Sequence, residues 1–211
     1  MSFITEIAFL QLKPGYDEHK LRDILKKTQK VQAQWIREHQ PKLLEGKPYD
    51  YTTDVWINED EVPRLFLAAP WESVEAHGEW IKSKENASIM QELQNFISED
   101  RDAVVLYHLK PAGETNDFRG DILGRGLVKV WKISVRPEEK TFLDKEYRLI
   151  EDQSPTEPGQ KVWAGWKVEE GDAEDMVIIA SSSLEDVIES SIAVRFDETK
   201  VSRSEHKPFM H

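Results

Sequence analysis

The chain has 211 residues, enough for one or two domains that bury a core without disulfides. It contains no cysteine, which excludes a disulfide framework, a thiolate nucleophile and cysteine-ligated zinc or iron–sulfur centres. The formal charge of −12 would repel a phosphate backbone, so we do not expect a nucleic acid partner.

The first half of the chain predicts the element order β-α-β-β-α-β. Apolar runs closed by proline, glycine or acidic turns indicate strands, and apolar residues at helical spacing after an N-cap indicate helices. The predicted strands are 5–14, 51–58, 64–71 and 103–111, and the predicted helices run from Asp17 to near His39 and from Ser73 to Ile97. The apolar period lapses around 83–88, so we expect the second helix to break there.

The same order of elements is predicted again in the second half. The predicted strands are 126–137, 161–170, 175–183 and 196–206, and the predicted helices are 138–152 and 183–192. Between the halves, the segment 112–125 contains three glycines and charges of alternating sign, which is typical of a linker. The predicted organisation is an N-terminal domain 1–111, a linker 112–125 and a C-terminal domain 126–211.

One spacing supports an internal repeat. Trp56 lies seventeen residues before Ser73, and Trp166 lies seventeen residues before Ser183, which is the predicted cap of the corresponding helix. An acid follows each serine by two residues. The sequence therefore predicts the α+β class, with two tandem ferredoxin-like β-α-β-β-α-β repeats.

The predicted strands are apolar on both faces. In the first strand, Ile7 and Phe9 alternate with Ala8 and Leu10, so the sheet face that the helices leave open needs a partner. We expect the antiparallel sheets of the two repeats to pack into an α/β barrel within one chain, as an intrachain pseudo-dimer. The lumen of such a barrel suits a small ligand. A homodimer built through the same face is the alternative.

The run WESVEAHGEWIKSKEN at residues 71–86 resembles the second helix of the dimeric α/β-barrel superfamily. That superfamily includes the antibiotic-biosynthesis monooxygenases, the stress-responsive A/B-barrel proteins and polyketide cyclases. The resemblance implies a barrel that binds a hydrophobic, aromatic or polyketide-like small molecule. It further implies a monooxygenase-like or cyclase-like enzyme of secondary metabolism that uses no metal and no organic cofactor.

Two positions depart from the catalytic pattern of the relatives. Trp80 stands where the cyclases have a catalytic tyrosine, and Asn86 stands where they have the histidine of the helix break. Neither Trp nor Asn exchanges a proton near neutral pH, so the cyclase route is not expected. The haem-degrading relatives need a first-strand asparagine that TEIAFLQL lacks. The first histidine of the second half is His206, so an axial haem ligand is not evident there either.

The candidate catalytic bases are His77 and His108. His77 combines a helical setting with aromatic neighbours, and the ordinary pKa of histidine suits proton abstraction. The alternative for His77 is a partly exposed helix residue between Glu75 and Glu79. The alternative for His108 is a residue that only forms a hydrogen bond at a sheet face.

Large aromatic side chains and one amide supply the candidate substrate contacts. The candidate substrate-binding residues are Trp56, Trp71, Trp80, Asn86, Trp131 and Trp166. The alternative for each tryptophan is that it packs in the hydrophobic core and does not contact a ligand. A non-catalytic ligand-binding or stress-responsive barrel is the alternative function. The acidic runs lack EF-hand spacing, and the N-terminus lacks a basic leader, so we expect no metal, no membrane partner and a cytoplasmic protein.

Overall fold

The computed structural model describes residues 3–45, 52–58, 60–113, 126–154, 162–192 and 195–210. Within these ranges the chain forms eight strands and five α-helices, joined in part by short 3-10 helices. In chain order they are β1 (Ile4–Gln11), α1 (Glu18–His39), β2 (Asp54–Asn58), β3 (Arg64–Trp71), α2 (Val74–Ile81), α3 (Lys84–Leu93), β4 (Val104–Pro111), β5 (Val128–Val135), α4 (Lys140–Gln153), β6 (Val162–Lys167), β7 (Glu174–Ser181), α5 (Glu185–Ser191) and β8 (Val201–Pro208).

The eight strands close into one antiparallel barrel in the order β1-β3-β2-β8-β5-β7-β6-β4. The four strands of each half are therefore neighbours, and the halves meet along two seams, β2 with β8 and β4 with β6. The seams are short. Only two residue pairs join β2 to β8 and three join β4 to β6, whereas eight join β5 to β7. The predicted α+β class and the predicted barrel are confirmed.

Strand alternation sorts the apolar side chains into an inner core and two outer regions. On β1, Ile7 faces the lumen and packs in a cluster with Phe66 and Trp163, which come from the two halves. Ile4 and Leu10 face the other way and pack against the helices of the first half. A separate outer core lies under α4 and α5. Both faces of the sheet are thus buried, as the two-sided apolar strands require.

The end of each half inserts into the outer core of the other half. Ala112, just after β4, packs in the core under α4 and α5, and its N–H donates to the carbonyl of Ala164 at 2.9 Å. Phe209, just after β8, packs in the core under α1, and its N–H donates to the carbonyl of Val55 at 3.0 Å. We call Ala112 and Phe209 the crossed ends. They continue the two seams beyond the paired strands.

The helices of the first half begin at the caps that the sequence predicts, and the second helix of the second half does not. Asp17 caps α1, and the Ser73 hydroxyl caps α2 by accepting from the N–H of Ala76 at 3.2 Å. The expected break is present, but it lies at 82–83, at the start of the expected region, and Ser83 caps α3 there. The prediction that Ser183 caps the corresponding helix is wrong. The hydroxyl of Ser181 accepts from the N–H of Ser183, which begins a 3-10 turn before α5.

Part of the predicted linker lies outside the described residues, which include Ala112 and Gly113 but not 114–125. None of the helices in the described ranges combines the length and the apolar character that a membrane crossing needs.

Candidate functional site

Two polar residues lie opposite each other on neighbouring strands, on the face of the sheet that the helices cover. Glu6 of β1 pairs in register with His108 of β4. Their side chains therefore project from the same face, because directly opposed residues on antiparallel strands share a face. The cap at Ser73 starts α2 so that His77, one turn further, reaches the same place. An ionisable residue in the middle of an apolar strand is thus matched by a histidine from the covering helix.

These side chains form a continuous hydrogen-bonded chain, which we call the relay: Trp71, Glu6, His77, His108 and Glu169. Trp71 Nε1 donates to Glu6 Oε2 at 2.7 Å, and the same oxygen lies 3.2 Å from His77 Nε2. His77 Nδ1 lies 2.7 Å from His108 Nε2. His108 Nδ1 lies 2.7 Å from Glu169 Oε1, which also accepts the backbone N–H of His108 at 2.9 Å. The relay connects a buried carboxyl to one near the surface.

The relay is buried except at its Glu169 end. The side chains of His77 and Glu6 are 3% and 15% exposed, and the side chain of Glu169 is 37% exposed. Burial lowers the pKa of His77 to about 3, with the neighbouring His108 adding to the effect. Burial raises the pKa of Glu6 to about 7, although the hydrogen bond from Trp71 opposes the rise. Near neutral pH, His77 is therefore neutral, and Glu6 is present in both its protonated and its ionised form.

The hydrogen-bond pattern determines which atoms carry protons. If Glu169 is ionised, His108 Nδ1 is the donor to it, so Nε2 of a neutral His108 must accept from His77 Nδ1. His77 Nε2 is then an acceptor and takes its hydrogen bond from protonated Glu6. Moving one proton from Glu6 to His77 Nε2, and one from His77 Nδ1 to His108, leaves Glu6 ionised and His108 cationic beside Glu169. His77 changes tautomer and never becomes charged, which agrees with the direction of its pKa shift.

Of the predicted substrate-binding residues, one belongs to the relay, a second packs beside it and a third lies just after the nearby helix break. The Trp71 ring stacks on the His77 ring with centroids 4.5 Å apart. Trp80 packs in the same outer core, 6.4 Å from Trp71 between ring centroids. Asn86 lies in the first turn of α3, and its amide donates back across the helix break to the carbonyl of Ile81 at 3.0 Å. The structure thus brings together His77, His108 and Trp71, with Trp80 behind them.

The other three predicted substrate-binding residues lie elsewhere. Trp56 is in the lumen and stacks on Phe66. Trp131 and Trp166 are in the outer core of the second half, where their N–H groups donate to Glu189 at 2.7 Å and to Asp144 at 3.1 Å. Of these three, only Trp131 lines a described cavity, of about 460 Å³ beside α5. A second cavity, of about 610 Å³, lies at one end of the barrel, and no relay residue lines either cavity.

Sequence reasoning missed Glu6 and Glu169. Glu6 carried a usable signal, because it is the one acid within the apolar run from Ile4 to Leu12. Glu169 lies in an acidic turn that looks solvated, and only the β4–β6 seam brings it to His108. Within the described parts of the chain, no three His, Asp or Glu residues are grouped so that they could hold a metal ion.

The fold and its site define an eight-stranded α/β barrel with a buried carboxyl–imidazole relay under one helix. No family model matches the sequence, and no curated protein does. Among solved structures, the chain is similar to a proposed monooxygenase from Fusobacterium nucleatum, with a TM-score of 0.58, 8% identity and coverage of 99% of this chain and 93% of that one.

Two further structures share the fold over nearly the whole chain. A proposed monooxygenase from Lactobacillus acidophilus gives a TM-score of 0.56 at 10% identity, with coverage of 98% and 92% of the two chains. An anthrone oxidase-like protein gives a TM-score of 0.56 at 9% identity, with coverage of 100% and 92%. At these identities the likeness establishes the barrel fold.

Proposed function

We propose that the protein is a cofactor-independent, monooxygenase-like enzyme that deprotonates an acidic aromatic substrate such as a phenol or an anthrone. The observation that carries this proposal is the relay, in which a buried carboxyl with a pKa of about 7 is joined through two imidazoles to a carboxylate near the surface. A general base works best when its pKa is close to the working pH. The choice of an anthrone follows the neighbour described as anthrone oxidase-like.

In the proposed reaction, the substrate meets the relay at its exposed end and gives its proton to His108 beside Glu169. The His108 Nε2 proton then passes to His77 Nδ1 as the His77 Nε2 proton passes to ionised Glu6, so that the buried carboxyl is the final acceptor. The substrate carbanion then reduces dioxygen, the second substrate. An anthrone and one dioxygen give an anthraquinone and one water, so atoms and electrons balance. The protein's part is to bind the anion, exclude water and move the proton.

We also propose that the two halves are tandem ferredoxin-like repeats that form the barrel as an intrachain pseudo-dimer. Support comes from the arrangement of strands, in which each half contributes four neighbouring strands to the barrel. Because the barrel closes within one chain, we expect a monomer of 24.5 kDa in sedimentation experiments. A dimer as the smallest species would support the homodimer alternative. A cytoplasmic role in secondary metabolism is part of the same proposal.

The proposed reaction is tested by oxygen uptake with dithranol, a hydroxylated anthrone. The rate above the enzyme-free blank should rise as the pH increases through about 7, because Glu6 must be ionised to act as the base. Glu6→Gln should lower the rate at least 100-fold, which is the usual contribution of a general base. Glu79→Gln is the matched control, since Glu79 is an exposed acid on the same helix as His77.

Unchanged oxygen uptake in Glu6→Gln would contradict the assignment of the base. No uptake by the unaltered protein, with dithranol and with a panel of phenols, would reject the monooxygenase reaction and favour the non-catalytic binding barrel.

A further inference from the structure

A cavity of about 610 Å³ opens at one end of the barrel lumen, on the opposite face of the sheet from the relay. Its walls include Phe9, Tyr107, Val130 and Val177, and alternation along each strand directs these side chains inward. Tyr107 and His108 follow each other on β4 and therefore project from opposite faces. The cavity and the relay are thus separate sites. The volume suits a small aromatic molecule.

The deep wall of the cavity is aromatic. The Phe9 ring stacks on the Phe66 ring with centroids 5.2 Å apart, and the His206 ring lies 5.9 Å from Phe9 and 5.2 Å from Phe66. Val130 and Val177 complete the apolar surface. A flat, rigid ring system can cover such a surface and lose little conformational entropy on binding.

His206 is a buried polar side chain among the residues that line this wall. The residue is 2% exposed, and its Nε2 lies 2.9 Å from the hydroxyl oxygen of Ser204, which also lines the cavity. Its Nδ1 has no hydrogen-bond partner among the described residues. Burial lowers the pKa of His206 to about 4, against an opposing effect of Asp60, so the ring is neutral near pH 7. Nδ1 can therefore donate to or accept from a ligand hydroxyl, depending on the tautomer.

The other end of the cavity has an excess of positive charge. Lys132 Nζ lies 3.1 Å and Lys167 Nζ lies 3.7 Å from the carboxylate of Asp175, which also accepts from the Ser134 hydroxyl at 2.5 Å. Two ammonium groups thus face one carboxylate. Both also lie over the ring of Tyr107, at 5.4 and 5.2 Å from its centroid.

Further charges lie at the rim of the cavity. Asp60, Glu61, Arg64 and Arg203 also line the cavity, and Arg203 is paired with Glu189 and Glu198. The rim therefore carries an excess of negative charge, and the surplus positive charge lies at Lys132 and Lys167.

The separation of the two polar ends sets the length of the ligand. His206 pairs in register with Val128, and Lys132 is four residues further along β5. Four residues of a strand span about 13 Å. The two side chains shorten that gap, so the polar groups of a bridging ligand must be on the order of 10 Å apart, in keeping with this strand length.

We propose that the cavity binds an elongated aromatic acid with a hydroxyl group at the end opposite its carboxylate. The rings lie against Phe9 and Val177, the hydroxyl bonds to His206 Nδ1, and the carboxylate faces Lys132. This site goes beyond the proposed oxidation and does not depend on it, because the relay lies on the other face of the sheet.

The test is calorimetric titration of the full-length protein with three matched ligands. They are 6-hydroxy-2-naphthoate, 2-naphthoate without the hydroxyl, and 2-naphthol without the carboxylate. The hydroxynaphthoate should bind at least about tenfold more tightly than either partial ligand, since each lacks one polar contact. His206→Phe should remove the advantage of the hydroxynaphthoate over 2-naphthoate and leave 2-naphthoate binding unchanged.

Lys132→Met provides a second, independent variant, because its side chain is 32% exposed and its removal leaves Asp175 paired with Lys167 and Ser134. This variant should bind 6-hydroxy-2-naphthoate and 2-naphthoate more weakly by a similar factor, and its affinity for 2-naphthol should be unchanged. The proposal is overturned if the three ligands bind the unaltered protein equally, if none binds at millimolar concentration, or if a folded His206→Phe variant keeps the preference for the hydroxyl.

Discussion

Glu6 is an ionisable residue in apolar surroundings, where burial raises its pKa to about 7. A carboxyl on a strand face covered by a helix is costly when ionised, and the structure offsets the cost with the Trp71 N–H and the neutral imidazole of His77. Replacing Glu6 by an apolar residue would remove that cost and, with it, the proposed base. A polar group that breaks the local pattern in this way is the expected signature of a functional site.

The shifted pKa of Glu6 makes a prediction about stability and pH. The folded state keeps the proton up to about pH 7, whereas the unfolded chain releases it near 4.5. The contribution of Glu6 to the free energy of unfolding should therefore fall as the pH rises from 4.5 to 7, by about 3 kcal/mol. Urea unfolding of the unaltered protein and Glu6→Gln across this range measures it.

The relevant quantity is the difference between the two unfolding free energies at each pH, because His77 and His206 titrate in both proteins. Above about pH 7 this difference should be constant, since Glu6 is then ionised in both states. A difference that does not change with pH would show that Glu6 has no raised pKa in the folded state.

For single residues, the sequence predicts His77 and His108 as candidate bases from their residue types and positions, and the structure places the two rings in hydrogen-bond contact. Their roles stay predictions. Glu6 carried a local signal as the one acid in its strand, but its partners and the role of Glu169 could not be predicted, because they depend on the register of β1 with β4 and on the seam between β4 and β6. Register is a property of strand pairing, and a single sequence does not fix it for strands that are apolar on both faces.

Among the secondary-structure elements, the helices were the most predictable part. Asp17 and Ser73 act as caps through their own side chains, so the signal is local. The prediction that Ser183 caps a helix is wrong because the neighbouring Ser181 caps the 3-10 turn that precedes α5. The order of strands in the barrel depends instead on contacts between distant segments, which a local pattern does not determine.

The seam between β4 and β6 depends on a glycine. A Cβ at Gly165 would lie 2.6 Å from the Trp163 ring and 2.8 Å from the Cβ of Leu109 on the facing strand. Gly165→Ala should therefore force the strands apart and lower the free energy of unfolding by about 1–3 kcal/mol. Urea unfolding followed by tryptophan fluorescence measures the loss. Gly126→Ala is the control, because a Cβ there meets no other described atom within 4 Å.

If Gly165→Ala were as stable as the unaltered protein, the seam would have enough freedom to take up an extra methyl group. The close contact between β4 and β6 would then not be what fixes the position of Glu169 beside His108.

For the whole molecule, the crossed ends couple the two halves. Phe209 is 2% exposed in the outer core of the first half, and the guanidinium of Arg22 lies 4.1 Å from its ring centroid. Phe209→Ala should lower the free energy of unfolding by about 3–5 kcal/mol, the usual cost of removing a buried phenylalanine. Phe142→Ala, at a ring that is 42% exposed, should cost much less.

Coupling of this kind also predicts a single unfolding transition for the unaltered protein, with coincident curves by tryptophan fluorescence and far-UV circular dichroism. Two separate transitions, or a small effect of Phe209→Ala, would show that the halves are stable independently.

The position of Phe209 also bears on the order of events during synthesis on the ribosome. Segments near the N-terminus emerge first and begin to fold first. The core under α1, however, takes one of its aromatic side chains from residue 209, and β2 takes its partner β8 from residues 201–208. The first half therefore leaves the ribosome with an unfilled core and an unpaired strand edge. We expect it to stay an incomplete intermediate, prone to association with other nascent chains, until the second half has been translated.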